Sequence, residues 1–246
     1  MPAVSRRDFL ISSTALALTA ARPARAAMGP NDKFDLVVKG GDVLDPSQSL
    51  RGKRDIGIRF GKIEAVEADI PADRALRVLS ADGKLVTPGL IDLHSHVYPY
   101  GSAIGIPADE LVAQQGTTTC VSAGDAGANN FAAFRRHIVA QTRTRLYAFI
   151  HIANIGLSAF PVAELYNIDF AQTEAAAKAI AENSDMVLGA KVRMSENVIA
   201  KHGLEPLKRA IMACEQAGAS NNSGSITPDF MCLSKGLTGG AVPLLL

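Results

Sequence analysis

The 246-residue sequence predicts an α/β protein, in which a small module of short strands precedes a run of strands alternating with helices. Two patterns carry this prediction. Up to about residue 85, short apolar runs are separated by turn pairs such as Gly40-Gly41 and Asp82-Gly83, which indicates a compact β module. Beyond that point, strand-length apolar runs alternate with helical stretches, as in βαβ units built around a parallel sheet.

The composition limits the classes of function. Apolar residues make up 48% of the chain and charged residues 20%, so a filled core is expected rather than disorder. The formal net charge of +1 gives no electrostatic reason to expect nucleic acid or an anionic membrane as a partner. Cys120, Cys214 and Cys232 are odd in number and lack metal-site spacing, so we expect small core residues rather than disulfides or ligands.

Residues 1–26 have the pattern of an export signal. The paired arginines of "SRRDFL" precede the apolar run Ile11–Ala21 and a small-x-small site ending at Ala26. The arginine pair is typical of the twin-arginine type, so we expect cleavage after Ala26 and a periplasmic or secreted protein. A membrane anchor is the alternative, but the apolar run is shorter than the roughly 20 residues that a span needs.

The β module, residues 27–85, is predicted to be a small β-sandwich without catalytic residues. Its expected strands are Phe34–Lys39, Asp55–Ile58, Ile63–Val66 and Arg77–Ser80.

Residues 86–218 contain about four βα units, half of the eight that close a barrel. The helices are predicted at Ala108–Gln115, Asn129–Arg143, Phe170–Asn183 and Glu205–Ala217, and the strands after the first at Thr117–Ser122, Leu146–Ala153 and Met186–Met194. Half a barrel leaves its first and fourth strands as open edges, so we expect self-association through those edges.

The first of these strands lies in "VTPGLIDLHSHV", residues 86–97. Leu90, Ile91 and Leu93 indicate a buried strand, which the turn pair Pro88-Gly89 opens.

This strand carries a pair of histidines. Side chains alternate along a strand, so His94 and His96 project from one face, about 6.6 Å apart, with Asp92 two residues before them. Two imidazoles at this spacing can converge on one cation. Two polar residues on a solvated face are the alternative, and the apolar flanks favour metal binding.

The fourth strand, "VLGAKVRMS", places Lys191 and Arg193 on one face. A strand of a parallel sheet is normally apolar on both faces, and two buried cations require neutralisation. This pattern indicates a site, unless both side chains reach solvent at the strand end. The planar guanidinium of Arg193 suits a substrate carboxylate.

Two segments, "TPGLIDLHSHVY" preceded by "DGKLV" and "AKVRMSEN", resemble the amidohydrolase superfamily, and more narrowly its dihydroorotase-like amidohydrolase/deacetylase metallohydrolases. The resemblance extends from about Phe34 to Gly218. It implies a TIM-type (β/α)8 barrel beside a β-sandwich, with metal ligands His94, His96 and Lys191, the lysine as a carbamate. It also implies two divalent ions per site, expected to be zinc, and hydrolysis of a C–N amide bond in a small N-acyl or cyclic amide by metal-bound hydroxide.

The sequence departs from this family in its second half. The family's remaining ligands are histidines after the fifth and sixth strands, and its general base is an aspartate after the eighth. No histidine follows His202, and Asp229 lies in a different motif, so no catalytic residue is assigned. We therefore expect a truncated barrel of impaired activity, or else a non-catalytic remnant that self-associates.

The other polar candidates carry weaker signals. His137 and His202 are expected on the surface, whereas His151, on the third strand, is placed where it can face the barrel interior. Asp125 follows the second strand at its carboxyl end, where barrel sites are built, so it is a candidate for contact with the ligands or the substrate.

Residues 219–246 differ from the preceding pattern. A polar linker, residues 219–225, leads to "ITPDFMCLSKGLTGGAVPLLL", which resembles the cofactor-lysine region of class III aminotransferases of the diaminopelargonic acid synthase type, with Lys235 at the Schiff-base position. We favour an exposed lysine in a glycine-rich tail, because the large domain that would hold pyridoxal phosphate is missing.

Overall fold

The computed structural model describes residues 28–29, 31–218 and 229–233. The predicted signal segment and Lys235 lie outside these residues. The described part of the chain divides into two compact units, one comprising the residues up to Asp42 with Lys53–Lys84 and the other Val43–Gly52 with the residues from Leu85 onward.

The first strands of the chain form one five-stranded sheet. Its strands are β1 (Leu36–Asp45), β2 (Leu50–Arg59), β3 (Lys62–Glu67), β4 (Val78–Ser80) and β5 (Leu85–Val86). The order is β3-β2-β1-β4, and β5 also pairs with β1. β1 and β2 are longer than predicted and are joined by a short 3-10 turn, in which Asp45 accepts a hydrogen bond from the Ser47 backbone N–H. These strands account for a single sheet, so the sandwich stays a prediction.

The second sheet contains the four parallel strands that the sequence predicts. They are β6 (Ile91–Ser95), β7 (Thr119–Gly127), β8 (Arg145–His151) and β9 (Val187–Arg193), and each pairs with the next. The fold-class prediction, an α/β protein with about four βα units of a barrel, is confirmed.

A fifth strand, β10 (Asp229–Leu233), pairs antiparallel with β9. The prediction that the fourth barrel strand is left as an open edge is therefore wrong, because the backbone of β10 takes its hydrogen bonds. At the other end of the sheet, β6 is the terminal strand among the residues described.

β6 forms where predicted, but its apolar side chains are not buried. Leu90, Ile91 and Leu93 are 55%, 41% and 58% exposed. The expectation of a buried strand is wrong because a terminal strand has a neighbour on one side only.

The helices are α1 (Ala108–Gln115), α2 (Phe131–His137), α3 (Thr173–Glu182), α4 (Glu196–Ile199) and α5 (Glu205–Gln216). α2 is shorter than expected, because the chain passes into a 3-10 turn at Val139–Gln141. The alanine-rich α3 packs against α5, and both pack against β9. None of the helices described combines the length and apolar composition needed to cross a membrane.

The two faces of the parallel sheet contribute to different clusters. Ala148 and Ile150 of β8 belong to the main core with the helices, whereas Phe149 packs with Val121 and Leu188. This alternation follows from the two-residue period of a strand. Cys120 is a buried free thiol, as expected of a core residue, and burial raises its pKa to about 12.

The carboxylate of Asp109 ties α1 to the start of β8. It accepts hydrogen bonds from the Thr144 hydroxyl (2.6 Å) and from the backbone N–H groups of Thr144 (2.8 Å) and Arg143 (3.1 Å). The Thr144 hydroxyl, together with these N–H groups, lowers the pKa of Asp109 from 3.8 to about 2.

We expect Asp109→Asn to lower the free energy of unfolding at neutral pH by about 1 kcal/mol, because the charged acceptor is lost and solvent screens a half-exposed group. The folded state favours the ionised carboxylate, so this contribution is present above about pH 4 and is lost as the pH falls toward 2. Denaturant unfolding between pH 2 and 7 measures both effects. Glu110→Gln, on the exposed neighbour, serves as the control, and an equal loss in that variant would contradict the assignment.

Candidate metal centre

The parallel strands bring the predicted site residues to one edge of the sheet. Lys191 lies near the carboxyl end of β9, and the β8–β9 register pairs it with His151. His94 lies near the end of β6, His96 follows that strand, and Asp125 lies near the end of β7. Barrel sites are built at this edge.

His94 and His96 are adjacent. Their ring centroids are 5.4 Å apart, and the ring planes are inclined by 69°. Asp92, which the sequence places on the same face, has a local role, since its Oδ1 accepts a hydrogen bond from the backbone N–H of His94 at 2.9 Å.

Asp125 holds His96 in one orientation. This carboxylate is fully buried, and its Oδ1 lies 2.8 Å from Nδ1 of His96. Its Oδ2 accepts hydrogen bonds from the Val97 backbone N–H (2.8 Å) and the Ser122 hydroxyl (2.7 Å). Because a carboxylate only accepts, Nδ1 of His96 carries the proton, and the lone pair lies on Nε2, where it can bind a metal.

Lys191 is only 1% exposed. The alternative that Lys191 reaches solvent at the strand end is therefore wrong. Arg193 is different, because its side chain is 21% exposed and its Cζ lies 5.9 Å from the centroid of the Phe160 ring.

Glu164 contacts side chains of two strands at this edge, His151 of β8 and Arg193 of β9. It was not singled out from the sequence. It lies in the loop after β8 and is 1% exposed. Its Oε1 is 3.1 Å from Nε2 of His151, and its Oε2 accepts a hydrogen bond from Nη1 of Arg193 at 3.1 Å. Burial raises the pKa of Glu164, but the neighbouring His151 and Arg193 outweigh this effect, so the pKa lies below its usual value. No motif marks a single glutamate in a loop, so the sequence carried no signal for it.

The other histidines lie away from this group. His137 is exposed at the end of α2, and Nε2 of His202 lies 3.1 Å from the backbone oxygen of Tyr166.

Two imidazoles and a carbamate oxygen are donors that zinc accepts. No cluster of three or more His, Cys, Asp or Glu side chains is arranged to hold a metal within the described part of the chain. The donors present therefore fit one side of a divalent-metal site, with Lys191 as the third donor only in its carboxylated form.

A cleft of about 470 Å³ opens in the loop that follows β6. Pro99, Tyr100, Ser102 and Pro107 line it, together with Ser158 from the loop after β8. The Ser102 hydroxyl also donates a hydrogen bond to Oδ1 of Asp125, at 3.4 Å, so the cleft adjoins the carboxylate that orients His96.

Comparisons with known proteins identify the family to which this fold belongs. The chain is 38% identical over 149 residues to the deacetylase Atu3266 of Agrobacterium fabrum, covering 60% of this chain and 37% of that protein. It superimposes on a crystal structure of a dihydroorotase with a TM-score of 0.65 and 33% identity, over 73% of this chain. The chain belongs to the amidohydrolase superfamily. A crystal structure of an adenine deaminase matches with the same TM-score and 30% identity, over 75% of this chain.

These matches cover part of each superfamily member. The chain spans 37% of the deacetylase and 48% of the dihydroorotase. No family model matches the chain. The comparisons give no support to the aminotransferase resemblance of the tail.

We expect Asp125→Asn to release His96 from its fixed tautomer, because an amide can donate to Nδ1 as well as accept from it. The free energy of unfolding should fall by about 2 kcal/mol, since a buried charged acceptor is removed. Nitrogen-15 NMR of the imidazole reports the tautomer, and Asp169→Asn, on an exposed side chain, is the control. An unchanged His96 tautomer would contradict the role given to Asp125.

Proposed function

We propose that this protein is a metal-dependent amidohydrolase that cleaves the C–N amide bond of a small N-acyl or cyclic amide substrate. The observation that carries the proposal is that the adjacent His94 and His96 and the buried Lys191 all lie toward the carboxyl edge of the parallel sheet. Membership of a superfamily that includes deacetylases and dihydroorotases supports it.

His94, His96 and Lys191 would hold divalent metal, which we expect to be zinc. When bound, the metal would polarise the amide carbonyl and activate water. In the reaction, water adds across the C–N bond and gives a carboxylate and an amine. We assign no proton-transfer residue within the described part of the chain.

Carboxylation of Lys191 explains why a lysine occupies this position. An ammonium group at 1% exposure is costly to bury. A new bond between Nζ and the carbon of CO₂, with release of a proton, turns the amine into an anionic carbamate. Its two oxygens can bind cations, so the site gains donors and loses a buried positive charge.

Arg193 is placed to bind an anionic end of the substrate. Its Nη1 donates a hydrogen bond to Glu164, and its Cζ lies over the Phe160 ring, 5.9 Å from the centroid. Nε and Nη2 of Arg193 make no hydrogen bond to the residues described. Those donors can form the paired hydrogen bonds that a carboxylate accepts.

The alternative is a non-catalytic remnant that self-associates. The exposed apolar residues Ile91 and Leu93 on the terminal strand β6, with Leu90 just before it, favour it, since such an edge can pair with a second copy.

Metal content separates the two proposals. We expect purified protein to retain divalent metal, and we expect His94→Ala to lose it. About two ions per chain would mean that ligands from outside the described residues complete a binuclear site. Elemental analysis measures this, with His137→Ala, on an exposed helical histidine, as the matched control. Retained metal would justify a screen of N-acyl amino acids as substrates. Protein that holds no metal and sediments as oligomers would support the remnant instead.

Carboxylate recognition has a separate test. For an N-acyl amino acid and its neutral amide, we expect Arg193→Lys to reduce the preference for the acid by about 10- to 100-fold, because a planar charged contact is lost. Glu164→Gln should give a smaller loss, since Arg193 remains but is less firmly held. Calorimetric binding of both ligands measures the ratio, and Arg136→Lys, on an exposed residue of α2, is the control. An unchanged ratio in Arg193→Lys would exclude this role.

A further inference from the structure

β7 contributes no donor to the proposed metal centre, yet it contacts two of the three donor residues. Its pairing with β8 is irregular at the carboxyl end, where Ala123 pairs with Phe149 and Gly127 with His151. Four steps along β7 therefore match two along β8, so the three residues Gly124–Ala126 lie opposite the single residue Ile150 and form a bulge. Bulges beside active sites often redirect side chains.

Gly124 leaves space that the Lys191 side chain fills. A Cβ at residue 124 would lie 2.6 Å from Cγ of Lys191 and 2.8 Å from its Cβ, closer than real Cβ atoms approach other atoms. It would also lie 3.1 Å from Cδ2 of His151. The lysine belongs to β9, two strands away in the order β9-β8-β7-β6. Its stem therefore crosses the inner face toward β7, the neighbour of the strand that carries His94.

Asp125, the next residue of the bulge, faces the other donor strand. It binds the His96 ring through Oδ1 and the Val97 N–H through Oδ2, both at 2.8 Å. Adjacent residues of one bulge thus lie against two proposed donors, Lys191 on β9 and His96 just after β6.

We propose that the Gly124–Ala126 bulge of β7 sets the positions of the metal donors relative to one another. Gly124 admits the stem of Lys191, and Asp125 orients His96. Both are positioning residues rather than donors. This inference rests on the proposed metal-dependent function and adds to it that residue 124 must lack a side chain for the site to form.

Gly124→Ala tests the proposal, with Gly116→Ala as a matched control. Both glycines have positive φ, +81° and +69°, so both variants carry backbone strain, but nothing lies within 4 Å of a Cβ at residue 116. The measurements are metal per chain, the carbamate signal in ¹³C NMR after addition of ¹³C-bicarbonate, and the melting temperature. We expect Gly124→Ala to lose the carbamate signal and at least about tenfold in metal affinity. Gly116→Ala should keep both and lose only the stability that backbone strain at positive φ costs.

Retention of metal and carbamate by Gly124→Ala would overturn the inference and leave the proposed function intact. Wild-type protein without either would overturn both. If Gly124→Ala fails to fold, the double variant with Lys191→Gly decides, compared with Lys191→Gly alone, because glycine removes both the Cγ and the Cβ that the new methyl group would meet at 2.6 and 2.8 Å. Recovery of a folded double variant supports the contact, and continued failure to fold overturns it.

Discussion

The burial of Lys191 is the constraint on which the rest of the site depends. An amine at 1% exposure on the inner face of a parallel sheet has a high free-energy cost unless it is modified or neutralised. Its neighbours are arranged around that requirement. A glycine gives its stem room, His151 lies beside it in the strand register, and the buried Glu164 lies within 3.1 Å of His151. The sheet could not bury this lysine with ordinary apolar neighbours alone.

Strands and loops contribute different residues to this edge of the sheet. Strands supply the proposed donors, because their carboxyl ends meet at fixed spacing at one edge. The loop after β8 supplies Phe160 and Glu164, which hold Arg193 from two sides. Under the proposed function, changes in this loop would alter the choice of substrate while the proposed donors keep their positions.

Much of the fold could be predicted because local patterns determine it. The alternation of strands and helices and the end of the first barrel helix at Gly116 both follow from neighbouring residues. The predictions failed where distant chain decides the outcome. The apolar side chain of Leu93 is typical of a buried strand, but its exposure depends on which elements lie beside β6. In the same way, β10 pairs with the edge of β9. No periodic pattern in the sequence indicates that these two segments meet.

By itself, the sequence determined the candidate donors, because two histidines at strand spacing and a lysine that interrupts an apolar strand are both local signals. Only the tertiary structure decided how those donors are held. Asp125 contacts His96 across 29 residues of chain, and Glu164 contacts Arg193 across another 29. Periodicity reports which face a residue occupies within its own element. It carries no information about which side chain arrives from another element, because that depends on the path of the whole chain and on the bulge that turns Gly124 and Asp125 toward the site.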